Sequence, residues 1–315
     1  MADLTLLLPP LQRREDVSAA GALALWVARG DRLPDAKPGR DAALRECFDF
    51  VGTEIPIAAL TRSLDANDAA GTLWLRADPA WVIADAVTVR LMACGNLQLS
   101  RDESDALARA LRPLFGDAGF LLEPTTASRW YLRCPPGAQL PLFSPPDAAL
   151  GDDIGRHLPE GSSAARWQHL LNEAQVMLHN HAVNAERVRR GAAPANSLWF
   201  WGPGKLPDWV RTTFTRVASD DDIVRALAQL ANVPISPLTP VAVVDLAGDE
   251  RAWLDLGAIR DPEALTREWL EPIQAALARG LIGWLTLHFA SGERYRYRHR
   301  HRWRFWRRIP ATGTA

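Results

Sequence analysis

The chain has 315 residues, of which 48% are hydrophobic and 23% are charged, and its formal net charge is −1. This composition is ordinary for a globular protein and excludes a disordered or fibrous chain, and the small net charge excludes a polyanion binder that works by bulk charge. Cys47, Cys94 and Cys134 are widely spaced and form no CxxC pair, which indicates a reducing compartment and argues against a cysteine-built zinc site.

No targeting segment is expected in the printed sequence. The apolar run Leu4–Leu8 is shorter than a signal-peptide core, no basic residue precedes it, and Pro9 and Pro10 follow it. No run of about 18 apolar residues occurs, so no membrane span is expected. We therefore expect a cytoplasmic protein that does not act at a membrane.

The first part of the chain predicts an α/β unit that begins with a buried strand at Leu4–Leu8. The capping-box pattern from Ser100 to Glu103 marks the start of a helix. Two strands are predicted before this helix, and Pro79 is expected to end the first of them. The other predicted elements are helices at Val17–Arg29 and Asp41–Phe50, strands at Thr72–Leu75 and Ala86–Met92, and a hairpin of Phe120–Glu123 with Ser128–Arg133.

A proline-rich stretch from Cys134 to Pro146 predicts a stiff linker, because proline interrupts both helices and sheets. It divides the chain into an N-terminal half, residues 1–140, and a C-terminal half, residues 141–315. The fold class expected is α/β, with mixed sheets flanked by helices in two closely packed halves and a β-hairpin at the C-terminus.

The C-terminal half predicts helices and strands in alternation. The predicted elements are a helix from Ser163 to Arg190, a strand at Asn196–Trp201, a glycine turn at Gly202–Gly204, a strand at Val241–Leu246, a helix at Asp261–Arg279, and a hairpin of Leu281–Phe289 with Arg294–Phe305. Gly191 suits the end of the first helix, and Pro272 is expected to kink or split the second.

The helix, loop and strand between residues 179 and 207 predict a ligand pocket, since ligands of α/β sheets favour the carboxyl ends of strands. Arg187 and Lys205 offer charge-assisted hydrogen bonds to a carboxylate or phosphate. The candidate ligand-binding residues are Asn184, Arg187, Asn196, Trp199, Trp201, Gly202, Gly204 and Lys205. The alternative interpretation is that the tryptophans belong to the core and that Asn196 caps a turn.

The block from Leu158 to Pro207 contains LPEG and then LLNEAQVMLHNHAVNAERVRRGAAPANSLWFWGPGKLP. It resembles the signature of the RpfE-type regulatory proteins and, in looser form, the domain inserted into archaeal-type cofactor-independent phosphoglycerate mutases. The segment Trp303–Arg308 also resembles the RpfE type. The resemblance extends over residues 70–308 and implies a substrate-facing recognition module.

The mutases that this block resembles belong to the alkaline phosphatase superfamily, whose members hold two metal ions on aspartates and histidines. Those enzymes start with an Asp-Gly metal motif and end with a His-rich one. Here Ala2-Asp3-Leu4 leads into prolines, and the end is rich in arginine. The one Asp-x-x-x-His spacing, Asp153 to His157, is interpreted as a solvated loop. We therefore expect no metal and no other cofactor.

The resulting hypothesis is a non-catalytic regulatory or binding protein that recognises a small anionic ligand or a protein partner. The alternative is an enzyme, either a phosphoglycerate mutase or another phosphotransferase. The sequence specifies neither the ligand nor the oligomeric state.

An arginine-rich ribbon near the C-terminus separates the charge of the chain into two parts. Its cations are Arg294, Arg296, Arg298, Arg300, Arg302, Arg304, Arg307 and Arg308. Removing these eight positive charges from the net charge of −1 leaves −9 for the other residues. On a strand, the alternation of arginines with rings places them on opposite faces. We expect the arginines to be solvated or paired with acidic groups of this chain or of a partner; nucleic-acid binding through Arg294, Arg296, Arg298 and Arg300 is the third functional alternative.

Overall fold

A computed structural model describes residues 1–11, 21–85, 87–161, 163–240 and 251–307 of the chain. Its strands are β1 Ala2–Leu8, β2 Asp31–Arg32, β3 Asp49–Phe50, β4 Leu73–Ala84, β5 Val89–Cys94, β6 Leu121–Pro124, β7 Trp130–Arg133, β8 Ser197–Lys205, β9 Val210–Arg211, β10 Arg216–Ala218, β11 Ile235–Ser236, β12 Arg251–Asp255, β13 Ile282–Phe289 and β14 Arg294–Tyr297. The predicted strand Val241–Leu246 lies outside the described residues, as do residues 17–20 of the predicted helix Val17–Arg29.

The helices accompany these strands along the chain. The α-helices are Gly21–Arg29, Arg40–Cys47, Ile57–Asp65, Arg101–Asp117, Pro146–Ala149, Ala164–His179, Ala182–Arg189, Asp222–Leu230, Pro262–Ala264 and Glu271–Ala278, with a π-helix at Leu265–Leu270 and 3-10 helices at Ile154–His157 and His299–Trp303. The predicted α/β class, with mixed sheets flanked by helices, is confirmed.

The chain forms two compact units, and the second is an insertion within the first. One unit contains residues 1–51 and 208–315, and the other contains residues 52–207. This division differs from the predicted halves 1–140 and 141–315. The reason is that β8, which follows the proline-rich stretch, pairs with β4, which precedes it. The proline-rich stretch therefore crosses the inserted unit and does not separate two domains.

The first unit is built on a largely parallel sheet. Within the described residues, its strands follow the order β11-β10-β12-β1-β13-β14-β2. The predicted strand at Leu4–Leu8 is confirmed as β1, which lies between β12 and β13 and is parallel to both. Ala2, Leu4, Leu6 and Leu8, which share one face of the strand, are all at most 1% exposed, and on the other face Leu7 is buried while Asp3 and Thr5 are half-buried.

The inserted unit is built around the long strand β4. On one side β4 pairs antiparallel with β8, and on the other with β7 and then β5. The expectation that Pro79 ends the strand was wrong, because β4 continues to Ala84. Residues 77–79 lie between the part of β4 that pairs with β7 and the part that pairs with β5, so the proline interrupts no ladder on that side.

The helix that starts at Ser100 is confirmed together with its capping box. The Ser100 hydroxyl accepts from the Glu103 N–H, and the Glu103 carboxylate accepts from the Ser100 N–H. The hairpin that follows is also confirmed, as β6 and β7.

Three predicted elements end differently in the structure. The helix expected to run to Arg190 stops at His179, and the His181 ring accepts from the Val183 N–H to cap a second helix. The helix expected over Asp261–Arg279, with a kink or split at Pro272, is divided into Pro262–Ala264, the π-helix Leu265–Leu270 and Glu271–Ala278, and the last division comes two residues before the proline. The second strand of the C-terminal hairpin ends at Tyr297 and is followed by a 3-10 helix.

Candidate functional site

Asn184 joins the parts of the helix–loop–strand segment in the inserted unit. It is 3% exposed, and its side-chain amide donates to the carbonyl oxygens of Leu178 at 2.8 Å and Ala195 at 2.9 Å. Its side-chain oxygen accepts from the Ala195 N–H at 2.9 Å. Both donors and the acceptor are thus occupied within the protein, so Asn184 positions the loop before β8.

Arg187 is buried beside the same loop, and each of its three side-chain nitrogens donates a hydrogen bond to the protein. Nε donates to the Ala193 carbonyl at 2.9 Å, and Nη2 donates to the Leu97 carbonyl at 2.7 Å. Nη1 donates to Oε2 of Glu103 at 2.8 Å. Arg187 therefore ties the second helix of the segment to the start of the helix Arg101–Asp117.

The other polar candidates of the segment bind neighbouring backbone or a buried carboxylate. The side-chain amide of Asn196 donates to the Val82 carbonyl, and its oxygen accepts from the Val82 N–H, each at 2.9 Å. Trp199 Nε1 donates to the Ser144 carbonyl at 3.0 Å, and Trp201 Nε1 donates to Oδ2 of Asp78 at 2.8 Å. The ring nitrogens thus hold β8 in place.

Gly202 and Gly204 lie within β8, where a turn was expected. A Cβ on Gly204 would stand 2.3 Å from Cβ of Pro56, and a Cβ on Gly202 would stand 2.8 Å from Cβ of Ile57. Gly202 also has a φ of +59°, which a side chain disfavours. The two glycines thus allow the start of the helix Ile57–Asp65 to pack closely against β8.

The structure does not bring the eight candidate residues to one site. Asn196 lies beside Val82, near the end of β4, whereas Lys205 pairs with Leu73 at its beginning. At about 3.3 Å per residue, the two ends of β8 are separated by roughly 26 Å. Arg187 and Lys205 therefore cannot hold one small anion together, and a ligand site has to be sought at one end of the strand.

A cleft of about 600 Å³ lies at the Arg187 end of the segment. Residues from three parts of the inserted unit line it: Trp81, Ala93, Asn96, Leu97, Gln98, Leu99, Ser100, Glu103, Arg187, Arg190, Ala192 and Ala193. The Arg190 side chain is 53% exposed and donates to Oε1 of Glu103 at 2.5 Å. Burial would raise the pKa of Glu103, but the Ser100 N–H and the two guanidinium groups outweigh it, so this pKa is lowered. The lining of the cleft thus carries two cations and one carboxylate, and Arg190 also lies 3.4 Å from Glu186, which is outside the lining.

The carboxyl edge of the parallel sheet in the first unit holds a second polar cluster, which was not predicted from the sequence. Asp255, the last residue of β12, has a side chain that is 3% exposed. Arg40 holds it with two hydrogen bonds, Nη1 to Oδ1 at 3.1 Å and Nη2 to Oδ2 at 2.6 Å. Arg40 Nη2 also lies 3.1 Å from Oδ2 of Asp221, and the Ser219 hydroxyl donates to Oδ2 of Asp255 at 2.9 Å.

The charge of Arg40 is firmly fixed in this cluster. Burial opposes the guanidinium, but hydrogen bonding and the charges of Asp255 and Asp221 outweigh burial and raise the pKa of Arg40. The signal that could have located the cluster is the apolar run Ala252–Leu254, which ends in an aspartate. Within the part of the chain that the structure describes, no group of three or more His, Cys, Asp or Glu side chains could hold a metal ion.

Several arginines of the C-terminal ribbon pair with acidic side chains of the first unit. Arg294 pairs with Glu46 at 2.5 Å, Arg304 pairs with Asp31 at 2.6 Å, and Arg296 lies 3.7 Å from Asp3. The hydrogen bond from Arg304 lowers the pKa of Asp31 despite partial burial. These contacts agree with the interpretation that the ribbon pairs within the chain.

No helix among the described residues is long and apolar enough to cross a membrane.

Sequence comparisons relate part of the chain to phosphoglycerate mutases. A probable 2,3-bisphosphoglycerate-independent phosphoglycerate mutase of Geobacter sulfurreducens is 34% identical over 109 residues, which are 35% of this chain and 27% of that protein. The 2,3-bisphosphoglycerate-independent phosphoglycerate mutase of Methanosarcina mazei is 39% identical over 64 residues, which are 20% of this chain and 16% of that protein. The matches span about a quarter of the length of these relatives or less. No protein-family model matches the chain.

Solved structures give a weaker comparison. A cofactor-independent phosphoglycerate mutase from Thermoplasma acidophilum is 17% identical with a TM-score of 0.45, covering 95% of this chain and 90% of that one. The PH0037 protein from Pyrococcus horikoshii is 12% identical with a TM-score of 0.48, covering 93% and 86%. Both TM-scores are low, so these similarities decide nothing about activity.

Proposed function

We propose that the chain is a non-catalytic binding protein of the RpfE regulatory type, related in part to cofactor-independent phosphoglycerate mutases, and that it recognises a small anionic ligand. The partial identity to two such mutases supports the relation. The regulatory type rests on the resemblance of residues 158–207 and of the C-terminal segment.

The single observation that carries the non-catalytic part is the position of Arg40. The mutases that the chain resembles belong to a superfamily that uses two metal ions. Two-metal phosphoryl transfer needs free carboxylate and imidazole ligands. At the carboxyl edge of the sheet, Asp255 and Asp221 are engaged by the Arg40 guanidinium. A metal ion could use these carboxylates only by displacing the Arg40 guanidinium, together with the two hydrogen bonds that it donates to Asp255 and its contact with Asp221. These two carboxylates therefore serve an ion pair.

The cleft beside Arg187 and Arg190 is the proposed ligand site. Its volume of about 600 Å³ suits a small metabolite, and its excess of positive charge suits an anion. All three side-chain nitrogens of Arg187 bind protein acceptors. Arg190 is half-exposed at the cleft; its Nη2 binds Glu103 and its Nε lies near Glu186. Among the described residues, no partner contacts the remaining nitrogen Nη1 of Arg190, which leaves it for a ligand oxygen. Asn96, Gln98 and Ser100 add exposed polar side chains.

We expect 3-phosphoglycerate to bind in this cleft, because it carries a phosphate and a carboxylate. Titrated into the protein, it should raise the melting temperature and give a saturable heat of binding in calorimetry. Arg190→Glu reverses the charge at the cleft and should weaken binding at least tenfold. The matched control is Arg189→Glu, which changes the neighbouring exposed arginine that does not line the cleft.

Equal affinities of the two variants would place the ligand elsewhere and contradict the proposed site. A wild-type protein that shows neither a shift in melting temperature nor heat of binding would contradict the recognition of this anion.

A further inference from the structure

An apolar pocket opens in the first unit, at the carboxyl edge of the parallel sheet where β1 and β13 end. It has a volume of about 260 Å³. Leu8 and Phe289, the last residues of these two strands, form its floor together with Leu23. Ile259 and Leu265 close it from the chain that follows β12. Five apolar side chains from four parts of the unit thus line one pocket.

The position of the pocket favours a ligand. Open sheets of parallel strands bind ligands in the crevice beyond the carboxyl ends of the strands. Leu265 and Thr266 of the wall belong to the π-helix Leu265–Leu270, and π-helical turns are rare and recur at functional sites. The position of the pocket at the sheet edge and the π-helix in its wall thus independently favour a ligand site.

Arg260 gives the pocket its chemical character. It lines the pocket and is exposed, and no acidic side chain in the described ranges pairs with it. Arg40, at the same edge of the sheet, is by contrast engaged by Asp255 and Asp221. A guanidinium that is not neutralised, beside an apolar cavity, matches a carboxylate attached to a hydrocarbon chain.

We propose that this pocket binds a medium-chain carboxylic acid, with the hydrocarbon chain among Leu8, Leu23, Ile259, Leu265 and Phe289 and the carboxylate on Arg260. A volume of about 260 Å³ holds roughly eight or nine groups of the size of a water molecule or a methylene, at about 30 Å³ each. The inference is independent of the proposed function, because the pocket shares no residue with the cleft of the inserted unit.

Octanoate is the probe that tests this pocket. We expect octanoate to bind the full chain saturably in calorimetry and to raise its melting temperature. Butanoate, which leaves most of the cavity unfilled, and octanol, which has no charge, should each bind at least tenfold more weakly. Binding of octanoate no tighter than that of butanoate would overturn the proposal, since the cavity would then contribute nothing.

Two variants locate the binding. Arg260→Met removes the positive charge but keeps an unbranched side chain, and it should weaken octanoate about tenfold while leaving octanol unchanged. Arg267→Met is the matched control, because Arg267 is exposed on the π-helix, lies outside the pocket and pairs with Glu268. Ile259→Trp, which fills the cavity, should weaken both ligands. If Ile259→Trp does not fold, Arg260→Met alone decides: octanoate affinity equal to that of Arg267→Met overturns the proposal.

Discussion

Replacing Asp78 with alanine is expected to lower the free energy of unfolding by about 3–5 kcal/mol, the cost of breaking a buried ion pair from one side. Asp78 is 1% exposed in the middle of β4. Its Oδ1 accepts from Arg76 Nε at 3.0 Å and from the Trp130 N–H at 3.1 Å. Its Oδ2 accepts from Arg76 Nη2 at 2.7 Å and from Trp201 Nε1 at 2.8 Å.

The physical reason is that the substitution strands a charge. Arg76 is 5% exposed, so its guanidinium would lose its counter-ion in a place that water barely reaches. The Trp130 N–H and the Trp201 ring nitrogen would lose their acceptor at the same time. Urea unfolding followed by tryptophan fluorescence and by circular dichroism measures the change.

The control is Asp105→Ala, which removes the partner of Arg101 from an exposed pair one helical turn apart, at 3.0 Å. It should cost less than about 0.5 kcal/mol. The double variant Arg76→Met with Asp78→Leu should lose less stability than Asp78→Ala alone, because no unpaired charge remains. If Asp78→Ala is as mild as Asp105→Ala, the pair is not what organises β4, β7 and β8.

Replacing Arg40 with methionine is expected to lower the free energy of unfolding by about 2–4 kcal/mol. Methionine keeps much of the side-chain volume but leaves the carboxylate of Asp255, which is 3% exposed, with only neutral donors. The effect is smaller than at Asp78 because the Arg40 side chain is 33% exposed, so water replaces part of the lost contact. Thermal unfolding and urea unfolding both report the loss.

The matched variant is Arg225→Met in the same unit. Arg225 pairs with Asp222 at 2.8 Å, but neither side chain is buried, since they are 48% and 31% exposed. Its loss should therefore cost less than about 1 kcal/mol. If Arg40→Met and Arg225→Met have the same stability, Asp255 does not need Arg40 as its counter-ion. That result would contradict the structural role of the Arg40–Asp255 pair.

The sequence predicted the elements that local chemistry determines. The capping box at Ser100 and Glu103 and the apolar run Leu4–Leu8 each contain the whole reason for their structure within a few residues. The helix end at His179 escaped prediction because the periodic apolar stripe continues past it, whereas the hydrogen bond from the Val183 N–H to the His181 ring is visible only in three dimensions.

The candidate site was predictable only in part, because its geometry depends on contacts between distant residues. Gly202 and Gly204 predicted a turn, and only the position of Pro56 shows that close packing against β8 is the reason for glycine at Gly204. Likewise, Arg40 and Asp255 are 215 positions apart, so no local pattern joins them. The separation of Arg187 from Lys205 follows from the extended course of β8, which glycines and a proline were expected to break.

The measurement that tests the account most directly is the conversion of 3-phosphoglycerate to 2-phosphoglycerate by protein supplied with Mn²⁺ or Zn²⁺, with bound metal quantified on the same sample. We expect no conversion above the rate without protein and no metal retained in proportion to the chain, because Arg40 occupies the carboxylates at the sheet edge. Conversion that chelation abolishes, accompanied by about two bound ions per chain, would contradict the account.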